Sequence, residues 1–399
     1  MLRSFRANNF RLLVNFRFEP APGTNVVLGA NASGKTTLFL ALALLRDLAR
    51  SPIATAGGAM IPAWTIPNYY TNDRHVQLEC DADVPVDGVP RRFRYSLTLE
   101  FPSSAEQYSI TPGMWPRVHE ERLLIDAESA SPTILLHNDG RESWMLRDDR
   151  APISSDPATS HVKTRSPTDS TMLQKLWALD TNRLAITFRQ YLTLWRFYDI
   201  DVSALRRQGE RDTDDVLSID AGNLRSALFS LKVANERVYR QVLRDTQQVD
   251  PTIDILNFQR IAPDRVMMVA EDDGGHKTPS EAISSGTLRY LALALAIRSA
   301  SATPSVISPF VFIEEPENGL FPNLLRGIYE LASSLQVQTV FSTHSPYLID
   351  AFDRVPGGVH VFRRRGPVVS VSKPEPDAMK KRLQEFSLGE QFFRGLLEE

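Results

Sequence analysis

The rhythm of hydrophobic and polar positions changes several times along this chain, and each change predicts an element. Near the start, apolar positions alternate with polar ones (Phe16 and Phe18, then Val26, Val27 and Leu28), as an antiparallel hairpin feeding a buried strand would. Residues 38–48 carry leucine and alanine at helical spacing. A Pro-, Gly- and Ala-rich stretch at 51–72 reads as a surface excursion or lid. Strand-like runs follow at 75–80, 93–101 and 134–137, the last closing on an Asn138-Asp139-Gly140 turn that leads to 143–146. Together they predict an antiparallel meander.

Residues 148–170 are rich in Ser, Thr, Asp and Pro without apolar periodicity, the pattern of a flexible linker. From 171 to 246 the pattern turns helical, with Leu173, Leu176 and Trp177 and later Leu224, Leu228 and Leu231, and predicts a separate helical lobe. Strands at 253–259 and 265–270 and a polar loop at 271–279 lead on to an apolar helix at 290–297. No repeat and no sustained heptad run occurs, so no coiled-coil arm is expected.

With 399 residues and 42% hydrophobic content, the chain can bury more than one core. The most apolar stretch, 288–297, is interrupted by Arg289 and stops at Arg298, short of a membrane span. The opening Met1-Leu2-Arg3-Ser4-Phe5-Arg6 lacks the apolar core of a signal peptide, so a cytoplasmic location without membrane attachment is expected. Cys80 is the single cysteine, which rules out an intrachain disulfide and a cysteine zinc cluster and reads as a small core residue. The net charge of -3 gives no global case for nucleic acid. Arginines nevertheless gather in three groups: Arg3, Arg6, Arg11 and Arg17; Arg91, Arg92 and Arg94; Arg363, Arg364 and Arg365. Solvated faces account for such groups, and so would a nucleic-acid groove.

The chemistry is concentrated in four segments. Gly29-Ala30-Asn31-Ala32-Ser33-Gly34-Lys35-Thr36, with Thr37 behind it, lies between a buried strand and a helix and has the form of a phosphate-binding loop. Glycines at both ends let backbone N–H groups turn inward around phosphates. Lys35 adds a charge at the β/γ-phosphates, Thr36 offers a hydroxyl to Mg²⁺, and the helix N-terminus faces the anion. A nucleoside triphosphate with Mg²⁺ is therefore the expected ligand.

Downstream, Phe310-Val311-Phe312-Ile313-Glu314-Glu315-Pro316-Glu317 is a buried-strand pattern ending in adjacent carboxylates. Glu314 takes a metal-binding role in this assignment, and Glu315 orients or deprotonates the attacking water. Ahead of it, Ser284-Ser285-Gly286 forms a small turn at the N-terminus of the apolar helix, a second anion site. Beyond it, the run 339–341 leads into Ser342-Thr343-His344-Ser345, which presents an imidazole to the γ-phosphate or the water.

In this order the motifs resemble the ATP-binding-cassette ATPases of the SMC, RecF and OLD type. The forms GANASGKT, SSGTLRYLAL, IEEPENGLFP and STHSPYLI look most like the stand-alone OLD-like ATPases without a nuclease domain. The resemblance implies an α/β fold: an ABC-type P-loop ATPase head with a mixed central sheet, an antiparallel β subdomain and an inserted helical lobe. The corresponding division is 1–170, 171–304 and 305–399. It implies further that Ser284, Ser285 and Gly286 match the signature turn, which in such enzymes reaches the nucleotide of a second protomer. Asn318, with Gly319 and Leu320, matches the D-loop, and His344 the switch histidine. Two copies are then expected to clamp ATP head to tail as a homodimer, from which higher oligomers can be built. Ser285 stands where the transporter-type signature has glycine, and Glu314 replaces the more usual Asp. No glutamine matches the Q-loop securely; Gln77 is the candidate.

Three functions fit this reading. One is a regulatory ATPase in anti-phage defence or nucleic-acid surveillance that controls a separate effector such as a nuclease; residues 345–399 hold no acidic Mg²⁺ constellation that would make one in the same chain. Another is a RecF-like repair ATPase that binds DNA through the arginine groups. The third is the ATPase subunit of a transporter, which the atypical signature disfavours.

Overall fold

Alternation of buried and exposed positions builds one part of this protein, and continuous apolar strands build the other. The computed structural model describes residues 1–57, 65–102, 116–146, 161–165, 167, 169–176, 182–206, 216–262, 265–302, 307–335, 337–353, 356–375, 383 and 385–396. In chain order the elements begin with β1 (Leu2–Asn8), β2 (Phe16–Phe18), β3 (Thr24–Leu28), helix α1 (Lys35–Arg50), β4 (His75–Val86), β5 (Val89–Glu100), β6 (Arg117–Ile125), β7 (Thr133–Asn138), β8 (Ser143–Leu146) and β9 (His161–Lys163). They continue with α2 (Met172–Lys175), α3 (Arg183–Thr193), β10 (Arg196–Tyr198), α4 (Val202–Arg206), α5 (Leu224–Ala234), α6 (Glu236–Gln247), β11 (Ile255–Ala262), β12 (Arg265–Glu271), β13 (Lys277–Pro279) and α7 (Ser285–Ser301). The last elements are β14 (Phe310–Glu314), α8 (Pro322–Ser334), β15 (Gln338–Thr343), α9 (Pro346–Asp350), β16 (Val359–Arg365), β17 (Val368–Ser372) and α10 (Leu388–Phe393).

Two compact units result. Met1–Ala21, Gly29–Trp195 and Val361–Ser372 form the first; Pro22–Leu28, Arg196–His360 and Lys373–Glu399 form the second. These units cut the chain at other places than a division at 170 and 304, because β3 and β10 are strands of the second unit embedded in segments assigned elsewhere.

The first unit holds an eight-stranded antiparallel meander in the order β2-β1-β4-β5-β6-β7-β8-β9. The β4–β5 hairpin closes through Asp87 (φ 51°) and Gly88 (φ 80°), a two-residue turn whose positive φ angles match strand twist. The meander is longer than the sequence pattern indicates, since β6 was not expected and β9 lies inside the stretch read as a linker. Residues 148–160, 166 and 168 of that stretch are outside the described residues, as are 58–64 of the proposed excursion. Ser170, the last residue of the linker stretch, and Thr171 after it are fully buried. Thr171 Oγ1 donates to the Leu48 carbonyl in α1 (3.0 Å) and accepts from Gln174 N as the N-cap of α2. Helix α3 seats Phe188 against Phe93 and Tyr95 of β5, with ring centroids 5.4 and 5.8 Å apart. Cys80 is buried in β4, as its core reading requires.

The polar face of the meander is a ladder of cross-strand ion pairs. Arg3 and Arg92 share Asp83, Arg6 pairs with Glu79, Arg94 with Asp81 and Arg91 with Asp126.

In the second unit, β10, β14, β15 and β3 run parallel in that order. β16 starts beside β3 and continues into the first unit, where it pairs antiparallel with β17, so the sheet is mixed. Strand β10 is a correction to the helical reading of 171–246: three residues between helices carry too short an alternation to register. Helix α7, 17 residues long, is buried on all sides, and α6 holds it through the Asp245 carboxylate, which accepts from Arg298 at 2.8 and 2.9 Å. A separate small sheet, β11-β12-β13, precedes it. Among the described residues there is no coiled coil, and no helix is long and apolar enough to cross a membrane.

Glu121 explains why β6 escaped the pattern: its carboxylate is fully buried and accepts from Met172 N (2.6 Å), Leu173 N (2.9 Å) and the Tyr95 hydroxyl (2.9 Å), joining the sheet to α2. Burial lifts its pKa from 4.5 to about 7, against the pull of those donors. The folded state therefore keeps a proton that the unfolded chain has released, and stability falls as pH rises from 4.5 to about 7. Urea denaturation should record a loss of about 3 kcal/mol across that window for the natural protein. Glu121→Gln should flatten the slope; an undiminished slope in the variant would assign the effect to another group.

Candidate active site

The candidate phosphate cradle lies in the first unit, where the buried strand β3 hands the chain over at Gly29. A Cβ at Gly29 would meet Ser33 Oγ at 2.5 Å and the Phe362 carbonyl at 2.7 Å, so no larger residue fits. Gly34 has φ 103° and would meet Val369 Cγ2 at 2.7 Å. Gly34 is also the N-cap of α1 and provides no side-chain acceptor, which leaves the first-turn N–H groups to an anion. Ala30, Asn31 and Ala32 form the exposed rim, with Ala32 left-handed at φ 61°. Lys35 is buried and its ammonium donates to the carbonyls of Gly29 (2.6 Å) and Ala30 (3.1 Å). Thr36 faces outward from the first turn of α1, and Thr37 is buried beside it. Ser33 Oγ is buried without a hydrogen-bond partner, an unmet polar group that a phosphate oxygen would satisfy. Glycine-only backbone, a buried cation and an unmet hydroxyl fit a nucleotide triphosphate.

The acidic segment lies in the second unit. Glu314 ends β14 in register with Ser342 of β15, and it is buried. Glu315 adopts φ 41°, a left-handed conformation that costs a non-glycine residue about 1–2 kcal/mol. Its surroundings enforce this: Glu315 N donates to the Ser342 carbonyl (2.9 Å), Asn318 Nδ2 donates to Glu315 Oε2 (2.9 Å), and Arg289 Nη2 donates to the Glu315 carbonyl (2.9 Å). The other arm of Arg289 reaches the Ile200 carbonyl at 2.7 Å. His344 Nδ1 stands 3.5 Å from Glu315 Oε1 and 3.5 Å from Glu317 Oε1. Glu317 accepts from Thr343 Oγ1 (2.6 Å) and His344 N (3.0 Å), and its second oxygen is buried without a partner. An imidazole flanked by two carboxylates can pass or hold a proton at a half-exposed position.

The signature turn belongs to the same unit. Ser284 is exposed and caps α7: its Oγ accepts from Thr287 N (3.1 Å) and shares a hydrogen bond with Thr287 Oγ1 (2.7 Å). Thr287 Oγ1 in turn donates to Asp250 Oδ2 at 2.9 Å. Ser285 Oγ accepts from Arg206 Nη2 (2.8 Å). A Cβ on Gly286 would come to 3.4 Å from the Gly319 carbonyl, so the turn packs against the D-loop segment.

The structure thus brings Glu315, Asn318 and His344 together, and sets Ser284, Ser285 and Gly286 beside Gly319. Gln77 is exposed on β4 in the first unit. Four residues carry roles that the motif pattern did not assign. Glu317 anchors the end of β15, and the third acid of Glu314-Glu315-Pro316-Glu317 was its visible sign. Arg289 ties α7 to the backbone of Glu315. Arg206 brings a cation to the signature turn. Asp199 follows β10, and burial raises its carboxyl pKa, a shift that the Arg289 charge opposes and the Glu315 charge reinforces.

A parallel sheet whose strand ends deliver a glycine loop, paired acids and a histidine defines an ATPase head of the AAA/ABC type. The chain belongs to the family described as "AAA domain, putative AbiEii toxin, Type IV TA system", whose model matches residues 24–350. No curated protein matches it. Among solved structures it is similar to an SMC head bound to the C-winged helix domain of ScpA, with 13% identity, 93% of this chain and 97% of that chain covered, and a TM-score of 0.55. It is also similar to an Smc head domain with an extended coiled coil bound to the C-terminal domain of ScpA, derived from Pyrococcus furiosus, with 12% identity, 96% and 98% covered, and a TM-score of 0.51. At these identities the likeness is one of fold, and it bears out the α/β ABC-type head.

Lys35→Ala should weaken ATP binding roughly ten- to a hundredfold, the range expected for a charged hydrogen-bonding partner worth about 1.5–3 kcal/mol. Undiminished affinity by calorimetry would overturn the cradle. Arg289→Met strips a charged donor from the buried Ile200 carbonyl and the half-buried Glu315 carbonyl and should lower stability by about 3 kcal/mol. A denaturation midpoint identical to the natural protein's would show that neither bond contributes.

Proposed function

We propose that this protein is a Mg²⁺-dependent ATPase that closes as a head-to-tail dimer around ATP and uses that cycle to control a separate effector in anti-phage defence or nucleic-acid surveillance. The observation that carries the proposal is the cluster of Glu315, Glu317, Asn318 and His344, lying in one unit with a signature turn packed on the D-loop segment.

In this mechanism Lys35, Ser33 and the first-turn N–H groups of α1 bind the phosphates. Thr36 and Glu314 would offer oxygen donors to Mg²⁺, which would supply charge neutralisation. Glu315 orients the attacking water and takes its proton. His344, held in place by Glu317, positions that water and can relay the proton. The exposed Ser284, the Ser285 hydroxyl and the N–H of Gly286 act on the nucleotide of the second copy, beside Arg206. Asn318 and the 77% exposed Phe321 supply the adjoining surface, which favours a partner of the same chain over solvent.

Control of an effector draws support from two sources. The motif forms look most like stand-alone OLD-like ATPases, and the family description ties its AAA domain to a toxin of a toxin–antitoxin system, a setting in which one protein governs another. A DNA-binding groove draws none from the arginine groups of the meander, because sheet carboxylates already neutralise Arg3, Arg6, Arg91, Arg92 and Arg94.

Glu315→Gln should keep ATP affinity, slow turnover by roughly a hundredfold or more, and accumulate an ATP-dependent dimer in sedimentation or light-scattering runs. A variant that stays monomeric with saturating ATP and Mg²⁺ would remove the dimer from the mechanism, and one with unchanged turnover would remove Glu315.

A further inference from the structure

Strands β4, β5 and β6 bring three metal-ligating side chains to one region of the antiparallel meander. His75 opens β4, Glu100 ends β5, and the two are register partners. His119 reaches them because β6 is irregular there. Thr98 faces Glu120 and Leu99 faces Val118, so His119 is the extra residue of a β-bulge. Bulges re-aim side chains, and this one joins a third strand to the pair. One ligand atom from each of His75, Glu100 and His119 lies within 4.8 Å of the other two. The imidazole rings meet edge to face with centroids 4.6 Å apart.

We propose that His75, Glu100 and His119 bind one Zn²⁺ ion that clips β4, β5 and β6 together. Bonds of about 2.0–2.2 Å in a tetrahedron place ligand atoms roughly 3.3 Å apart, so ligation would draw the three side chains closer than the present 4.8 Å limit. Two imidazoles and one carboxylate suit Zn²⁺, whereas Mg²⁺ and Ca²⁺ prefer oxygen donors throughout. A water completes the tetrahedron at this half-exposed position.

A supporting residue is already in place. Asp73 Oδ1 accepts from His75 N (2.9 Å) and lies 3.1 Å from His75 Nδ1. That contact fixes the ring and leaves Nε2 as the metal donor, the arrangement of an outer carboxylate behind a zinc-bound histidine. The competing interaction is weak: Arg74 Nη2 lies 3.4 Å from Glu100 Oε1, both side chains are exposed, and such a pair contributes little.

The test uses tag-free, full-length protein stripped with a chelator and titrated calorimetrically with ZnCl₂ in excess Mg²⁺. One equivalent should bind per chain and raise the melting temperature. His75→Ala and His119→Ala should each weaken binding at least tenfold and abolish the thermal shift, and Asp73→Asn should weaken it about tenfold. His276→Ala, on the loop between β12 and β13, should change nothing. Circular dichroism of the metal-free variants, matching that of the natural protein, separates lost ligation from lost folding. Failure of the stripped protein to bind Zn²⁺, or binding of one equivalent that survives both histidine substitutions in folded protein, would overturn the site.

Discussion

Parallel pairing of β14, β15 and β3 governs where chemistry can occur in this protein. Parallel strands point their C-terminal ends the same way, so Glu314 pairs with Ser342 and Thr343 with Leu28 in one continuous register. The residues that follow those ends are Glu315, His344 and Gly29. Glu315 and His344, far apart in the chain, are thereby started from one edge of one sheet, the position at which open α/β sheets bind ligands. β14 and β15 are buried at every position, so both faces of each strand are packed and a slip of one residue would exchange the side chains that fill them. The hydrophobic demand of the core thus fixes the chemistry at the strand ends.

What the sheet edge sets in position, a small polar network holds. Glu315 sits in a left-handed conformation that costs energy, and three backbone and side-chain partners hold it there. Arg289 is central, since one guanidinium spans the carbonyls of Ile200 and Glu315 and thereby joins the segment after β10 to the segment after β14. Arg289 also belongs to α7, whose N-terminus is the signature turn. A change felt at Ser284 has a rigid helix and a forked hydrogen bond through which to reach the backbone of Glu315.

The elements legible in the sequence were those whose signal is local. A strand–loop–helix with glycines at both ends, and a buried run ending in acids, carry their meaning in consecutive residues, and so does the Asn138-Asp139-Gly140 turn. β6 was illegible because two of its residues violate strand alternation for tertiary reasons: Glu121 is charged yet buried to hold α2, and His119 is a bulge that adds one residue to the count. β10 was illegible because Arg196, Phe197 and Tyr198 form a strand only by pairing with Val311, Phe312 and Ile313 of β14, 115 positions along the chain. Glu317 and Arg289 were visible as letters but not as roles, since each acts through contacts with the ends of other strands. The arginine groups misdirected in the opposite sense: composition shows the cations, and only cross-strand pairing shows the carboxylates beside them.

Ser284 shows that a structural role and a ligand-binding role need not compete. Its Oγ accepts from Thr287 N, which is what an N-cap serine does in any helix. The cap consumes one of the four donors at the start of α7 and fixes the first turn, while the N–H groups of Ser285 and Gly286 stay at the mouth of the turn beside Arg206 and Gly319. Fixing the turn is a precondition for presenting those donors to an anion, because a frayed first turn would pay ordering entropy at the moment of binding. Thr287 extends the same logic by handing its hydroxyl to Asp250, so that the cap is itself held from the loop after α6. The serine that looks merely structural is what would make the adjacent backbone competent to bind a phosphate carried by another copy.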